Sequence, residues 1–92
     1  MPPYSASKDP NATLDYGWDW SQWLTEVEDT ISDSVWIVPA GLTLESDSHT
    51  TTHTTVWLSG GTAGQSYAIT NRITTSGGRT DDRSFTLRCM ER

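Results

Sequence analysis

The sequence predicts an all-β fold: a sandwich of about six or seven short antiparallel strands preceded by an extended N-terminal arm. Three observations lead there. First, Tyr67, Ile69, Asn71 and Ile73 alternate with Ala68, Thr70 and Arg72, and successive strand side chains point to opposite faces, so one set turns inward. Second, Phe85 and Leu87 alternate with Ser84, Thr86 and Arg88, and Ser76-Gly77-Gly78-Arg79 lies between the two runs. Paired glycines supply the positive φ that a chain reversal needs, so the runs form a hairpin. Third, Thr54-Thr55-Val56-Trp57-Leu58 and Val35-Trp36-Ile37-Val38 are β-branched and aromatic, and the second is too short for a helix.

The remaining elements follow in chain order. Met1 to Asn11 holds three of the four prolines among small polar residues; it cannot bury itself and reads as an arm, with Tyr4 its one anchor. Two fates stay open for it, a frayed tail or an arm docked on a partner subunit. Thr13–Trp20 alternates, with Leu14, Tyr16, Trp18 and Trp20 on one face, and is the first strand. Asp19 or Ser21 can cap a single helical turn over Trp20–Leu24, with Gln22 three residues after Asp19 as in a capping box. Thr25 to Asp29 reads as a polar connection. Ile31 and the run Val35–Val38 form the next strand, ended by Pro39, which cannot donate to a ladder. Leu42-Thr43-Leu44-Glu45-Ser46 is a short strand, and the threonine-rich Asp47–Thr55 reads as a solvated turn leading into the strand that ends at Leu58. Gly60-Gly61-Thr62-Ala63-Gly64 then joins that strand to the hairpin. A glycine-bearing loop, a Tyr opening a long alternating strand and a closing hairpin is how an immunoglobulin-like sandwich ends. The organisation is therefore an arm over residues 1–12 and one sandwich over residues 13–92.

Composition narrows the function. A chain of 92 residues buries roughly 60–65% of its unfolded surface, so its core is thin and large aromatics must fill it; five Trp and three Tyr meet that need. The formal charge of −6 argues against nucleic acid as a partner, because phosphate binding needs a Lys/Arg excess. The charge is unevenly spread: residues 1–50 carry nine acids against Lys8 alone, and residues 51–92 carry five arginines against three acids. Two such halves could pair head to tail between subunits, or simply be solvated. Cys89 is the only cysteine, so no intrachain disulfide forms, and its parity with Phe85 and Leu87 predicts a buried thiol. There is no basic-then-apolar leader and no run near the ~20 apolar residues of a membrane span; a soluble chain made in a reducing compartment is expected.

Few residues here suit chemistry. On a strand, His49 and His53 would share a face about 13 Å apart, too far to ligate one ion, though a bend could bring them together; solvent exposure is expected for both. Asp81-Asp82 sits between Arg79 and Arg83, which suits turn hydrogen bonds and arginine pairing better than paired-carboxylate hydrolysis. The glycine loop lacks a Lys-Ser/Thr ending and precedes a strand, so it joins sheets and cradles no phosphate. No catalytic residue, metal or cofactor is expected. Trp18, Trp20 and Trp23 cannot all be central in so small a core; core packing, a subunit interface and sugar stacking all remain open for them.

Taken together, DPNATLDYGWDWSQWL, DTISDSVWIVPAGLTLES and TTVWLSGGTAGQSYAITNRITTSGGRTDDRSFTLR resemble a family of small tailed-bacteriophage virion proteins. These are immunoglobulin-like β-sandwiches described as fiber-tail adaptors or neck and tail-connector components. The resemblance runs from Lys8 to Arg88. Its strongest marks are Asp19-Trp20-Ser21 with Trp23-Leu24, Trp36 and Pro39, Leu58-Ser59-Gly60-Gly61, and Asn71-Arg72-Ile73-Thr74-Thr75 running into Gly78-Arg79-Thr80-Asp81. One departure is the ending Cys89-Met90-Glu91-Arg92, which carries no further apolar alternation. The resemblance implies a non-enzymatic structural subunit of the virion, assembled in the host cytoplasm, that joins one virion layer to the next in a symmetric homo-oligomer. Its implied partners are neck, tail or fiber subunits, with no nucleic acid and no membrane. Alternatives are a capsid decoration protein and a carbohydrate-binding module using exposed Trp. The candidate interface residues are Tyr4, Lys8, Trp18, Trp20, Trp23, Arg79 and Arg83.

Overall fold

The computed structural model describes residues 5–90. Among them are seven strands and one helix: β1 (Ser5–Lys8), β2 (Leu14–Asp19), α1 (Ser21–Val27), β3 (Ile31–Ile37), β4 (Leu42–His49), β5 (His53–Gly60), β6 (Ser66–Thr75) and β7 (Thr80–Cys89). They make two sheets, one of four strands in the order β1-β7-β6-β3 and one of three in the order β2-β5-β4. The all-β sandwich read from the sequence is the fold observed.

The β6–β7 hairpin carries the longest ladder, from Ser66 opposite Arg88 to Thr74 opposite Thr80. Gly78 takes φ +89° in its turn, and the Arg79 N–H donates to Thr75 Oγ1 at 2.9 Å. From this hairpin Ile69, Asn71, Ile73, Phe85, Leu87 and Cys89 all turn inward and are buried. Val56, Leu58 and Trp36 meet them from β5 and β3, with Tyr16 and Trp18 packed alongside. A second cluster, Trp20, Leu24, Ile31 and Ile73, closes the end of the sandwich under α1. Burial of these side chains, about 1.5–3 kcal/mol for each large one, is the main force holding so thin a domain together.

Four expectations are corrected. The segment read as an arm is held by its own chain over residues 5–8: β1 pairs parallel with β7, Ser5 opposite Thr86 through Lys8 opposite Cys89, so the sandwich is not wholly antiparallel. The reason is that Lys8 buries its stem while its ammonium donates to the Asp9 carbonyl at 2.8 Å and the Gly60 carbonyl at 2.7 Å; Tyr16 Oη also donates to the Ser7 carbonyl at 3.1 Å. The helical turn is longer than read, Ser21–Val27, and it has no side-chain cap. Asp19 Oδ1 instead accepts the Ser21 N–H at 2.9 Å, and the helix ends where Glu28 enters the left-handed region at φ +54°. The Asp47–Thr55 stretch is mostly strand: β4 continues to His49 and β5 starts at His53, which leaves a tight turn over Thr50–Thr52. Hydroxyls hold that turn, with Thr50 Oγ1 accepting from the N–H groups of Thr52 and His53. Finally, β4 bears a bulge between Leu44 and Ser46, which breaks the simple alternation expected of Leu42 and Leu44.

One polar residue lies at the centre of the core. Asn71 is fully buried, and its amide makes four hydrogen bonds that tie both sheets together. Oδ1 accepts from Trp20 Nε1 at 3.0 Å and from Thr54 Oγ1 at 2.7 Å. Nδ2 donates to Ser34 Oγ at 3.0 Å and to the Val35 carbonyl at 3.1 Å. The indole N–H can only donate and the carbonyl can only accept, so the chemistry of the partners fixes the amide orientation. All four capacities of the amide are used, which is the condition under which a buried polar group costs nothing and specifies register.

Candidate interaction surfaces

Most of the side chains that the sequence marks as interface candidates are committed to holding the fold. Arg83 has the inward parity of Phe85, and its guanidinium lies over the Trp20 ring, 4.0 Å from its centroid and 5.7 Å from that of Trp18. Its Nη1 also donates to the Asp19 carbonyl at 3.2 Å. Burial pushes the Arg83 pKa below its ordinary value, while Asp81 and Asp19 pull it back up; an arginine stays charged throughout. It thus caps the end of the core as a cation on an indole face. Trp20 beneath it is fully buried, so Trp20 has no surface to offer a partner. Lys8 is buried too, for the reason given above. Trp23 packs edge-on against Trp20 at 5.9 Å between centroids, and both Trp18 and Trp23 are half-buried. Tyr4 lies outside the described residues.

Arg79 staples the hairpin turn to the loop between α1 and β3. Its Nη1 donates to Asp29 Oδ2 at 2.9 Å, and Oδ1 of the same carboxylate accepts the N–H groups of Thr30 at 2.9 Å and Gly77 at 3.0 Å. The Thr75 hydroxyl, these backbone donors and Arg79 together hold the Asp29 pKa down to about 2, against a smaller opposing effect of desolvation. Arg72 pairs bidentately with Asp82 across the hairpin, at 2.8 and 3.0 Å; the Asp81-Asp82 pair thus lies in β7 and not in a turn, and its arginine contact comes from the facing strand, not from the flanking Arg79 or Arg83. The arginine-rich half of the sequence is therefore largely neutralised within the chain. His53 turns to its neighbours, with Nδ1 against Thr52 Oγ1 at 2.7 Å and Nε2 at 3.4 Å from Asp19 Oδ1. Among the described residues no three His, Cys, Asp or Glu side chains converge as a metal site would require.

The free apolar surface lies elsewhere. On β3, Trp36 faces the core, so its neighbours Val35 and Ile37 face out, 48% and 44% exposed. They stand at the edge of the four-stranded sheet, Val35 opposite Arg72 and Ile37 opposite Thr70 of β6, on the same outer face as Ala68, Ser84 and Thr86; Thr70 and Ser84 share a hydrogen bond at 2.8 Å. On β5, Val56 and Leu58 are buried, and Trp57 between them is 42% exposed on the outer face of the other sheet. The sandwich thus carries an apolar spot on each of its two opposite faces. Sequence reasoning missed all three residues. The parity of Val56 and Leu58 around Trp57 was the available signal; the unbroken apolar run Val35–Val38 gave none.

Among the described residues no helix is long and apolar enough to cross a membrane. No curated protein matches this chain. The family described as podophage GP4 fiber-tail adaptor protein gp77 matches it over residues 8–88, the same span on which the sequence resemblance rests. The chain belongs to the podophage GP4 fiber-tail adaptor protein family.

Proposed function

We propose that this chain is a non-enzymatic adaptor subunit of a tailed-phage virion, present in a symmetric set of copies and joining tail to fiber through protein–protein contacts. Family membership supports the adaptor role. The observation that carries the working mechanism is the placement of exposed apolar side chains on both outer faces, Val35 and Ile37 on one and Trp57 on the other. An adaptor needs two interfaces at once, and a sandwich only two sheets thick offers two opposed, rigid faces for them. The polar chemistry inside serves that rigidity: the Asn71 amide locks the sheets and Arg83 seals the end over Trp20. The order β1-β7-β6-β3 against β2-β5-β4 also supports an immunoglobulin-like reading of the sandwich.

Complementation of a phage lacking this chain tests the proposal. A Val35→Asp/Ile37→Asp variant and a Trp57→Asp variant should each fold, and each should give particles defective in tail-fiber assembly at a different joint. A decoration protein would depend on one face alone. Full infectivity with both variants would end the adaptor mechanism described here.

A further inference from the structure

The outer face of the three-stranded sheet differs in charge from the rest of the molecule. Strands β2, β4 and β5 contain Asp15, Asp19, Glu45 and Asp47 and neither lysine nor arginine. Trp57 sits on the central strand of that sheet, with Asp15 of β2 and Ser46 of β4 as its register partners on either side. Gly17, the next outward position on β2, has no side chain, and a shallow groove runs there along Asp15, Asp19, His53 and Thr55. Glu45 is held in place on the same sheet by the Ser59 hydroxyl, which donates to it. An exposed indole draws a cation to its face, and a carboxylate beside it accepts that cation's N–H groups.

This chain has few cations with which to supply that complement itself. Lys8 is buried on two carbonyls, Arg72 is paired with Asp82, Arg79 with Asp29, and Arg83 lies over Trp20. Arg88 is the remaining cation among the described residues, and copies with a formal charge of −6 repel one another. The head-to-tail pairing of an acidic with a basic half that the sequence left open loses its cationic side in this way. We infer that the outer face of the three-stranded sheet docks a different protein of the virion, one that presents an arginine or lysine to Trp57 with Asp15 and Glu45 receiving it. This rests on the adaptor reading and assigns the chemistry of one of its two partners.

The test is binding of the purified full chain to virions from a phage lacking it, measured at about 50 and about 500 mM NaCl, where the screening length falls from roughly 14 to roughly 4 Å. Wild type should bind at least about tenfold more weakly at the higher salt, Trp57→Ser should weaken binding about tenfold or more, and Asp15→Asn/Glu45→Gln should weaken it and flatten the salt dependence. Thermal melts of both variants should match wild type, since these side chains lie on the surface. Wild-type affinity in both variants would overturn the inference while leaving the adaptor reading intact, because attachment itself persists. Absence of wild-type binding at either salt would remove both. Self-association of the free chain that Trp57→Ser abolishes, or saturable fluorescence quenching by host glycans that the same change abolishes, would replace the cationic protein with a second copy or a sugar.

Discussion

Replacing Asn71 by alanine removes a buried group that bonds to both sheets at once. Two donors, Trp20 Nε1 and Thr54 Oγ1, and two acceptors, Ser34 Oγ and the Val35 carbonyl, lose their partner together. At about 1 kcal/mol net for each buried hydrogen bond, the four sum to roughly 4 kcal/mol. A domain of this size has a total stability of roughly 5–14 kcal/mol, so the variant keeps at best a modest margin. The corresponding fall in Tm is about 20 °C. The assay is thermal and urea unfolding followed by far-UV circular dichroism, with emission summed over the five tryptophans as a second probe of the transition. Asn71→Asp sharpens the test. An ionised carboxylate accepts from Trp20 and Thr54 as before but opposes the Val35 carbonyl, so this variant should be less stable than Asn71→Ala at neutral pH. Burial raises such a carboxyl's pKa, and protonation removes the repulsion, so the variant should gain stability as the pH falls towards 5. A Tm for Asn71→Ala within about 3 °C of wild type would refute the reasoning, because under 1 kcal/mol cannot represent four lost bonds.

Gly17→Ala should destabilise the fold by about 1–3 kcal/mol in urea titration, because a Cβ there would overlap the Thr54 carbonyl oxygen and push β2 from β5. Arg83→Met keeps an apolar stem over the rings but loses the cation, and should cost about 1 kcal/mol; Arg83→Lys should lie between the two. Asp29, with its pKa held at about 2 against an ordinary 3.8, contributes stability that is fully present above pH 3.8 and is lost as the pH falls through about 2. Wild type should therefore lose Tm between pH 4 and pH 2 more steeply than Asp29→Asn, and parallel curves for the two would contradict the assignment.

The β6–β7 hairpin was legible because its signals are local: alternation within ten residues and a glycine turn between the runs. The buried place of Cys89 followed from the same parity. The Asn71 network was not legible, although Asn71 was placed on the inward face, since its partners Trp20, Ser34 and Thr54 stand 51, 37 and 17 residues away. β1 was missed because Pro2, Pro3 and Pro10 read as an arm and a lysine is expected at the surface; only the Asp9 and Gly60 carbonyls make burial of Lys8 tolerable. The helix beyond Leu24 was not legible, because Thr25, Glu26 and Val27 carry no apolar periodicity to announce it. At the candidate site the sequence left core packing, an interface and sugar stacking open for Trp18, Trp20 and Trp23. Trp20 is taken inward by Asn71 and Arg83, Trp18 packs on Phe85 and Trp23 on Trp20, both half-buried, and Trp57, isolated in sequence, is the more exposed indole.

If two opposed faces of a rigid sandwich hold two different proteins, both must be covered in the assembled particle. A reconstruction of the intact virion at side-chain resolution should show Val35 and Ile37 buried against one polypeptide and Trp57 buried against another, with the Asn71 core unchanged between them. Either face open to solvent in the assembled particle would contradict this arrangement.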